Sequence, residues 1–175
     1  YDTVIPVPIG GWTEYTIVDR IKKGKKIIIH GDGSSLWTIT HARDFAIGFI
    51  GLLGHQQAIG QSFHITSDEI LTWNQIYEAV AMAAGKKAEI VYIPSDYLGT
   101  FDEQLKGSLL GDKAVSTIFD NSKIRRFVPE FNPVIRFKDG IRETIHWFEQ
   151  ESNRMIIKSE TNEFMDRILN AYKRP

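Results

Sequence analysis

Gly48, Gly51 and Gly54 repeat at three-residue spacing, the pattern of a loop that cradles the pyrophosphate of a dinucleotide. That chemistry needs the glycines in a strand-to-helix turn, where bare backbone N–H groups meet phosphate at a helix N-terminus. Here they fall inside a helical pattern, with Phe45, Ala46, Phe49, Ile50, Leu52 and Leu53 at helical spacing across residues 43–53. The segment 55–61 that follows is too short and too rich in glycine to be the next helix. The glycines therefore read as close-packing positions, with Gly54 ending the helix. The five histidines are dispersed, and no two share metal-ligand spacing on one face. The chain has no cysteine, which removes thiolate catalysis, disulfides and cysteine-ligated zinc. Asp68 with Glu69, Asp102 with Glu103, and Arg125 with Arg126 read as turn and solvated-face charges.

The elements that must position any site are organised around residues 62–85. Phe63 and Ile65 alternate with smaller residues and predict a short strand ending at 66–68. Thr72 stands three residues before Gln75, the spacing of a capping box, and Leu71 and Ile76 flank it like a hydrophobic staple. Trp73, Ile76, Tyr77, Val80, Ala81 and Ala84 then form one apolar helix face, closed by Gly85. Upstream, residues 1–11 hold Pro6, Pro8 and paired glycines and predict an extended loop. Thr13 is a candidate cap for a helix with Ile17, Val18 and Ile21 inward and Gly24 beyond its end. Strands are predicted at 27–29, 36–40, 89–93 and 116–119. Asp120 is a candidate cap for the turn at 123–127, and 137–151 reads as a helix with Ile141, Ile145 and Phe148 inward. A last amphipathic helix carries Phe164, Met165, Ile168, Leu169 and Tyr172.

Three stretches together resemble the extended short-chain dehydrogenase/reductase superfamily, in its NAD-dependent epimerase/dehydratase group. They run from Gly31-Asp32-Gly33-Ser34-Ser35 to Asp44-Phe45-Ala46, from Ser62 to Gly85, and from Phe119-Asp120-Asn121-Ser122-Lys123 to Gly140-Ile141-Arg142-Glu143-Thr144. The likeness extends from the first residue to about Phe148. It implies an α/β fold: the C-terminal half of an extended short-chain dehydrogenase, with the last strand and helix of the Rossmann-type sheet and the small mixed α/β substrate domain. Residues 1–151 would be the substrate-binding part and 152–175 an extension, with the N-terminal NAD-binding domain missing from this chain.

The family's proton-transfer pair is Tyr-x-x-x-Lys, one helical turn apart. No tyrosine here has a lysine four residues on, so no catalytic residue is assigned. NAD or NADP would be bound mainly by the missing half, with Tyr1 and Thr3 approaching the nicotinamide end. By position, Pro6, Trp12, Trp37, Thr38, Leu109 and Leu110 are candidates for the substrate pocket wall. Relatives acting on nucleotide sugars grip the diphosphate with two arginines, because guanidinium matches phosphate oxygens in pairs. The resemblance puts Trp37 and Leu109 at those positions, which implies a sugar-like substrate without a diphosphate.

The formal net charge of -1 gives no bulk attraction for nucleic acid, and no apolar run approaches membrane-spanning length. The absence of cysteine fits a cytoplasmic protein. Two other classes remain: a nucleic-acid-associated or regulatory protein of this fold, like the chloroplast stem-loop-binding group, or an assembly module that forms a homodimer through the tail helix.

Overall fold

A computed structural model describes residues 4–10 and 13–172 of the chain. β1 (Lys26–His30) and β4 (Glu89–Ile93) pair in parallel, with Lys26 opposite Glu89 and His30 opposite Ile93. Ile27, Ile28, Ile29 and His30 are all buried, so β1 is covered on both faces, as a continuous apolar strand requires. A second ladder is two residues long: β2 (Leu36–Trp37) runs antiparallel to β3 (Leu71–Thr72).

The helix α3 (Trp73–Ala83) is built as its sequence dictates. The Thr72 hydroxyl accepts from the Gln75 N–H at 3.2 Å, while Gln75 Oε1 accepts from the Thr72 N–H at 2.8 Å. At the other end Gly85, at φ +72°, donates to the Met82 carbonyl, and Lys86 donates to that of Ala81, a Schellman closure. The predicted apolar face, Trp73 to Ala84, is buried. It packs on α7 (Phe137–Glu149), whose Ile141, Ile145 and Phe148 point inward. α1 (Thr16–Lys22) and α8 (Ser159–Ala171) lie against β1.

α2 (Ala42–Leu52) follows the predicted span and sits over a satellite core of Ile124, Val128 and Phe131. A Cβ at Gly48 would come within 2.6 Å of Ile65 Cγ2, and one at Gly51 would overlap Val128. The glycines serve close packing and form no phosphate loop.

Several predicted elements differ. Phe63 and Ile65 form no strand: no ladder lies beside them among the described residues. Their segment is held instead by side chains, with Ser67 N donating to Thr40 Oγ1 and Thr66 N to Asn121 Oδ1. The 36–40 strand stops after Trp37. Residues 116–119 are irregular, although Thr117 N donates to the Leu36 carbonyl and Ser116 Oγ accepts from Leu36 N. Thr13 caps nothing, since α1 begins at Thr16 after Tyr15 with no side-chain cap. Asp120 acts one residue early, its Oδ1 accepting from both the N–H and the hydroxyl of Ser122 ahead of α6 (Ser122–Phe127).

Candidate functional site

β1 and β4 end level, and Gly31 N donates to the Ile93 carbonyl at 2.8 Å. The chain then turns through Gly31 and Gly33, both left-handed at φ +60° and +70°. A Cβ at Gly33 would collide with Asn74 and with Ile29 Cγ2, so glycine is required there for space as well as conformation. Asn74, on the first turn of α3, fastens the turn by donating to the Asp32 carbonyl (3.0 Å) and, through its backbone N–H, to that of Gly33 (3.0 Å). The Asp32 carboxylate accepts from the Ser34 hydroxyl and N–H, bonds that hold its pKa below the usual carboxylate range.

The turn delivers the chain into β2 and sets Trp37 against Trp73, ring centroids 5.6 Å apart and 30° from parallel. Beneath them the Lys113 carbonyl accepts three side-chain bonds: from Ser35 Oγ (2.8 Å), Trp73 Nε1 (3.1 Å) and His30 Nε2 (3.1 Å). A carbonyl only accepts, so His30 carries its proton on Nε2. Its Nδ1 is buried with no partner among the described residues. Burial holds the His30 imidazole below its ordinary pKa. Lys113 closes a π-helical turn (Leu109–Lys113) that continues α5 (Glu103–Ser108). Its ammonium lies 5.5 Å from the Trp37 ring centroid and 2.9 Å from Asp112 Oδ2, with only 12% of the side chain exposed.

Of the predicted wall, Trp37 is half-buried on this aromatic shelf, with Thr38 beside it. Leu109 is completely buried in the main core, and Leu110, one residue on, is 44% exposed. Trp37 and the Leu109–Lys113 turn do meet, through Lys113. Pro6 lies apart in the loop of residues 4–10, half-buried. Tyr1, Thr3 and Trp12 lie outside the described residues. Sequence reasoning missed Lys113 and His30. The lysine follows Leu109 by four residues, and only the wide π turn brings it back to Trp37.

The described residues offer no strand-to-helix glycine turn, so no dinucleotide contact is assigned to them. No three His, Asp or Glu side chains among them group to hold a metal ion, and no described helix is long and apolar enough to cross a membrane.

No family model matches the chain. It is 27% identical over 110 residues to 2'-dehydrokanamycin reductase of Streptomyces kanamyceticus, covering 62% of this chain and 30% of that protein. It is 29% identical over 104 residues to the chloroplast stem-loop binding protein of 41 kDa b of Arabidopsis thaliana, covering 55% and 28%. The chain thus spans less than a third of the length of these curated relatives. Among solved structures it resembles UDP-glucuronic acid 4-epimerase from Bacillus cereus with NAD (TM-score 0.57, 20% identical, 77% of this chain and 37% of that one). It also resembles dTDP-glucose 4,6-dehydratase from Bacillus anthracis with NAD (0.58, 22%, 78% and 39%). An epimerase from Methanothermobacter thermautotrophicus gives a TM-score of 0.63 at 19% identity, over 79% and 37%. The structural neighbours are epimerases and dehydratases of the extended short-chain dehydrogenase group. The α/β fold of this chain matches the C-terminal half of theirs.

Proposed function

We propose that this chain is the substrate-facing C-terminal portion of an NAD- or NADP-dependent epimerase/dehydratase-type oxidoreductase whose sugar-like substrate carries no diphosphate. The fold and its coverage of about 38% of the neighbouring enzymes support the first clause, with residues 1–151 as the substrate-side part and 152–175 as an extension. In this reading the dinucleotide supplies hydride exchange with a sugar carbon and is held mainly by a part of the protein outside this chain. The residues here orient the substrate and exclude water.

One observation supports the substrate class. By the resemblance, the two positions at which relatives grip a diphosphate fall on Trp37, whose ring lies on the aromatic shelf, and on Leu109, which is fully buried. The Lys113 ammonium beside Trp37 is already engaged by Asp112 and the Trp37 face. A diphosphate would forgo charge-assisted hydrogen bonds of about 1.5–3 kcal/mol each, and two lost grips amount to roughly two to four decades in affinity. Trp37 offers instead a flat face for a weakly charged ring. The related reductase from Streptomyces kanamyceticus is named for 2'-dehydrokanamycin and not for a nucleotide sugar, which agrees with this class. A nucleic-acid-binding role, like that in the name of the Arabidopsis relative, would call for a free basic face. The formal net charge of -1 gives no bulk attraction for a phosphate backbone, and Arg20, Lys22, Arg43, Lys113, Arg125 and Arg154 are each paired with a carboxylate.

The test uses the longest natural form of the protein loaded with NAD and titrated with UDP-glucose, beside a Trp37→Arg variant. The wild type is expected to bind UDP-glucose only weakly, and the added guanidinium to tighten it tenfold or more. Low-micromolar wild-type affinity with turnover would defeat the substrate clause. Absence of any dinucleotide binding by that protein would defeat the oxidoreductase reading.

A further inference from the structure

What α8 does beyond covering the core follows from where it places Phe164. The helix is anchored over its whole length. Thr16 Oγ1 accepts from Lys158 N, Thr161 donates to Glu14, and the buried Arg20 guanidinium reaches Asn162 Oδ1 and Asp166 Oδ1 at 2.9 and 2.7 Å. Met165, one residue past Phe164, packs toward Gly10, its Cε 3.7 Å from where a Cβ would stand on that glycine. The loop of residues 4–10, α5 and α8 thereby border an open cleft of about 390 Å3, within the range typical of small-molecule sites. Its wall combines the Phe164 ring and Pro8 with Asp102, Gln104 and Ser108.

We propose that this cleft is a subsite for an uncharged, hydroxyl-rich ring, a glycosyl unit of the substrate, and that Phe164 of α8 determines its specificity. The inference rests on the reading of this chain as the substrate-facing portion. An aromatic ring is suited to the C–H face of a sugar, where a polar wall alone would hold water as well as it held ligand. Asp102 and Gln104 are exposed and Ser108 is half-buried, so their polar groups are open to a ligand as they are to water. Asp102 Oδ1 caps α5 by accepting from Leu105 N at 2.6 Å, and that is its side chain's one bond among the described residues. The Gln104 amide and Ser108 hydroxyl have no hydrogen-bond partner among them. Together they offer an acceptor, an amide and a hydroxyl, which matches vicinal hydroxyls. Among the described lining residues Asp102 carries the one charge, a carboxylate that disfavours an anionic ligand. α5 runs directly into the turn that carries Lys113, so the cleft and the aromatic shelf are two ends of one segment.

The experiment titrates the 175-residue chain with methyl glucopyranoside and with glucose 1-phosphate, reading ligand saturation-transfer NMR. The glucoside is expected to bind at millimolar concentration and the phosphate no better. Phe164→Ala should weaken the glucoside at least fivefold while Phe164→Trp retains it. Should Phe164→Ala loosen α8, seen by amide exchange, the pair Gln104→Ala with Ser108→Ala weakens binding from the α5 side without touching that helix. Glucoside binding unchanged in both variants, no wild-type binding at tens of millimolar, or a clear preference for glucose 1-phosphate overturns the subsite. Glucoside binding by a protein that shows no dinucleotide-dependent turnover sinks the oxidoreductase reading and leaves the subsite standing. Turnover that is indifferent to Phe164 sinks the subsite alone.

Discussion

Tyr77 puts a hydroxyl into the main core with no hydrogen-bond partner among the described residues, and burial raises its pKa. A buried polar group left unpaired costs about 1–3 kcal/mol, whereas its apolar isostere costs nothing comparable. Tyr77→Phe is therefore expected to stabilise the fold by about 1 kcal/mol, roughly 2–4 °C in Tm for a chain of this size. Thermal unfolding of the two proteins checks this, and a lower Tm would show that the hydroxyl has a use. His30 carries the opposite liability. Its folded pKa lies below the unfolded value of 6.5, so the unfolded chain takes up the proton first as pH falls. Stability from His30 is full above that value and is lost as pH drops below it toward the folded pKa. In His30→Phe, Tm should be lower at pH 8 through loss of the bond to the Lys113 carbonyl, yet the decline below pH 6.5 should be shallower than in the wild type. A decline of equal slope would assign it to other groups.

At the scale of elements, one anchor of α8 is a cation sunk in the core. Arg20 is 1% exposed and spends its Nε and Nη2 on the Lys26 carbonyl at the start of β1 and Nη1 and Nη2 on Asn162 and Asp166. Removing one partner of a buried pair is costly because the other charge stays behind, about 3–5 kcal/mol. Asp166 is half exposed and water can reach Arg20 from its side, so Asp166→Ala should cost well under that figure. Arg20→Ala should cost more and should speed amide exchange throughout α8 before the β1 and α3 amides follow. Uniform exchange across all three would mean that α8 is no separable unit. The amphipathic pattern predicted this helix, and its packing on its own chain is visible in Met165 and Ile168, but no spacing rule pairs Arg20 with residues 142 and 146 positions away. Local signals did better where the whole device is local. The Thr72–Gln75 box, Gly85 and the Ile27–Ile29 strand all stand where the sequence placed them, since caps and turns are decided within a few residues. Strands at 63–65 and 116–119 did not form because β structure needs a neighbour, which a one-dimensional pattern does not contain. The site was half legible for the same reason. Trp37 came from its position, but Lys113 needed the π turn to return it.

At the scale of the molecule, the outer side of α2 departs from an ordinary surface. Phe45 and Phe49 stack at 5.7 Å, and with Ile47, Ile50 and Leu53 they all stand exposed, Ile50 and Leu53 to more than 60%. Scattered exposed apolar side chains are normal, but an aromatic pair and three aliphatics on one short helix form a contiguous patch of the kind that marks an interface. The inner side of the same helix is already used, by Gly48 and Gly51 against Ile65, Phe131 and Val128, so rotating α2 cannot hide the patch. In the proposed reading this face meets the dinucleotide-binding part of the protein. Studied alone, the 175-residue chain should self-associate in a concentration-dependent way by sedimentation and should bind a hydrophobic dye. Phe49→Ser with Ile50→Lys should shift it toward monomer and reduce dye binding at unchanged Tm, because neither side chain contributes to the core. In the longer protein the same pair should instead lower Tm, since there the face would be covered. A wild-type chain that is monomeric at high concentration without dye binding, or a pair of substitutions that leaves the longer protein's stability untouched, would show that α2 faces water in the working molecule.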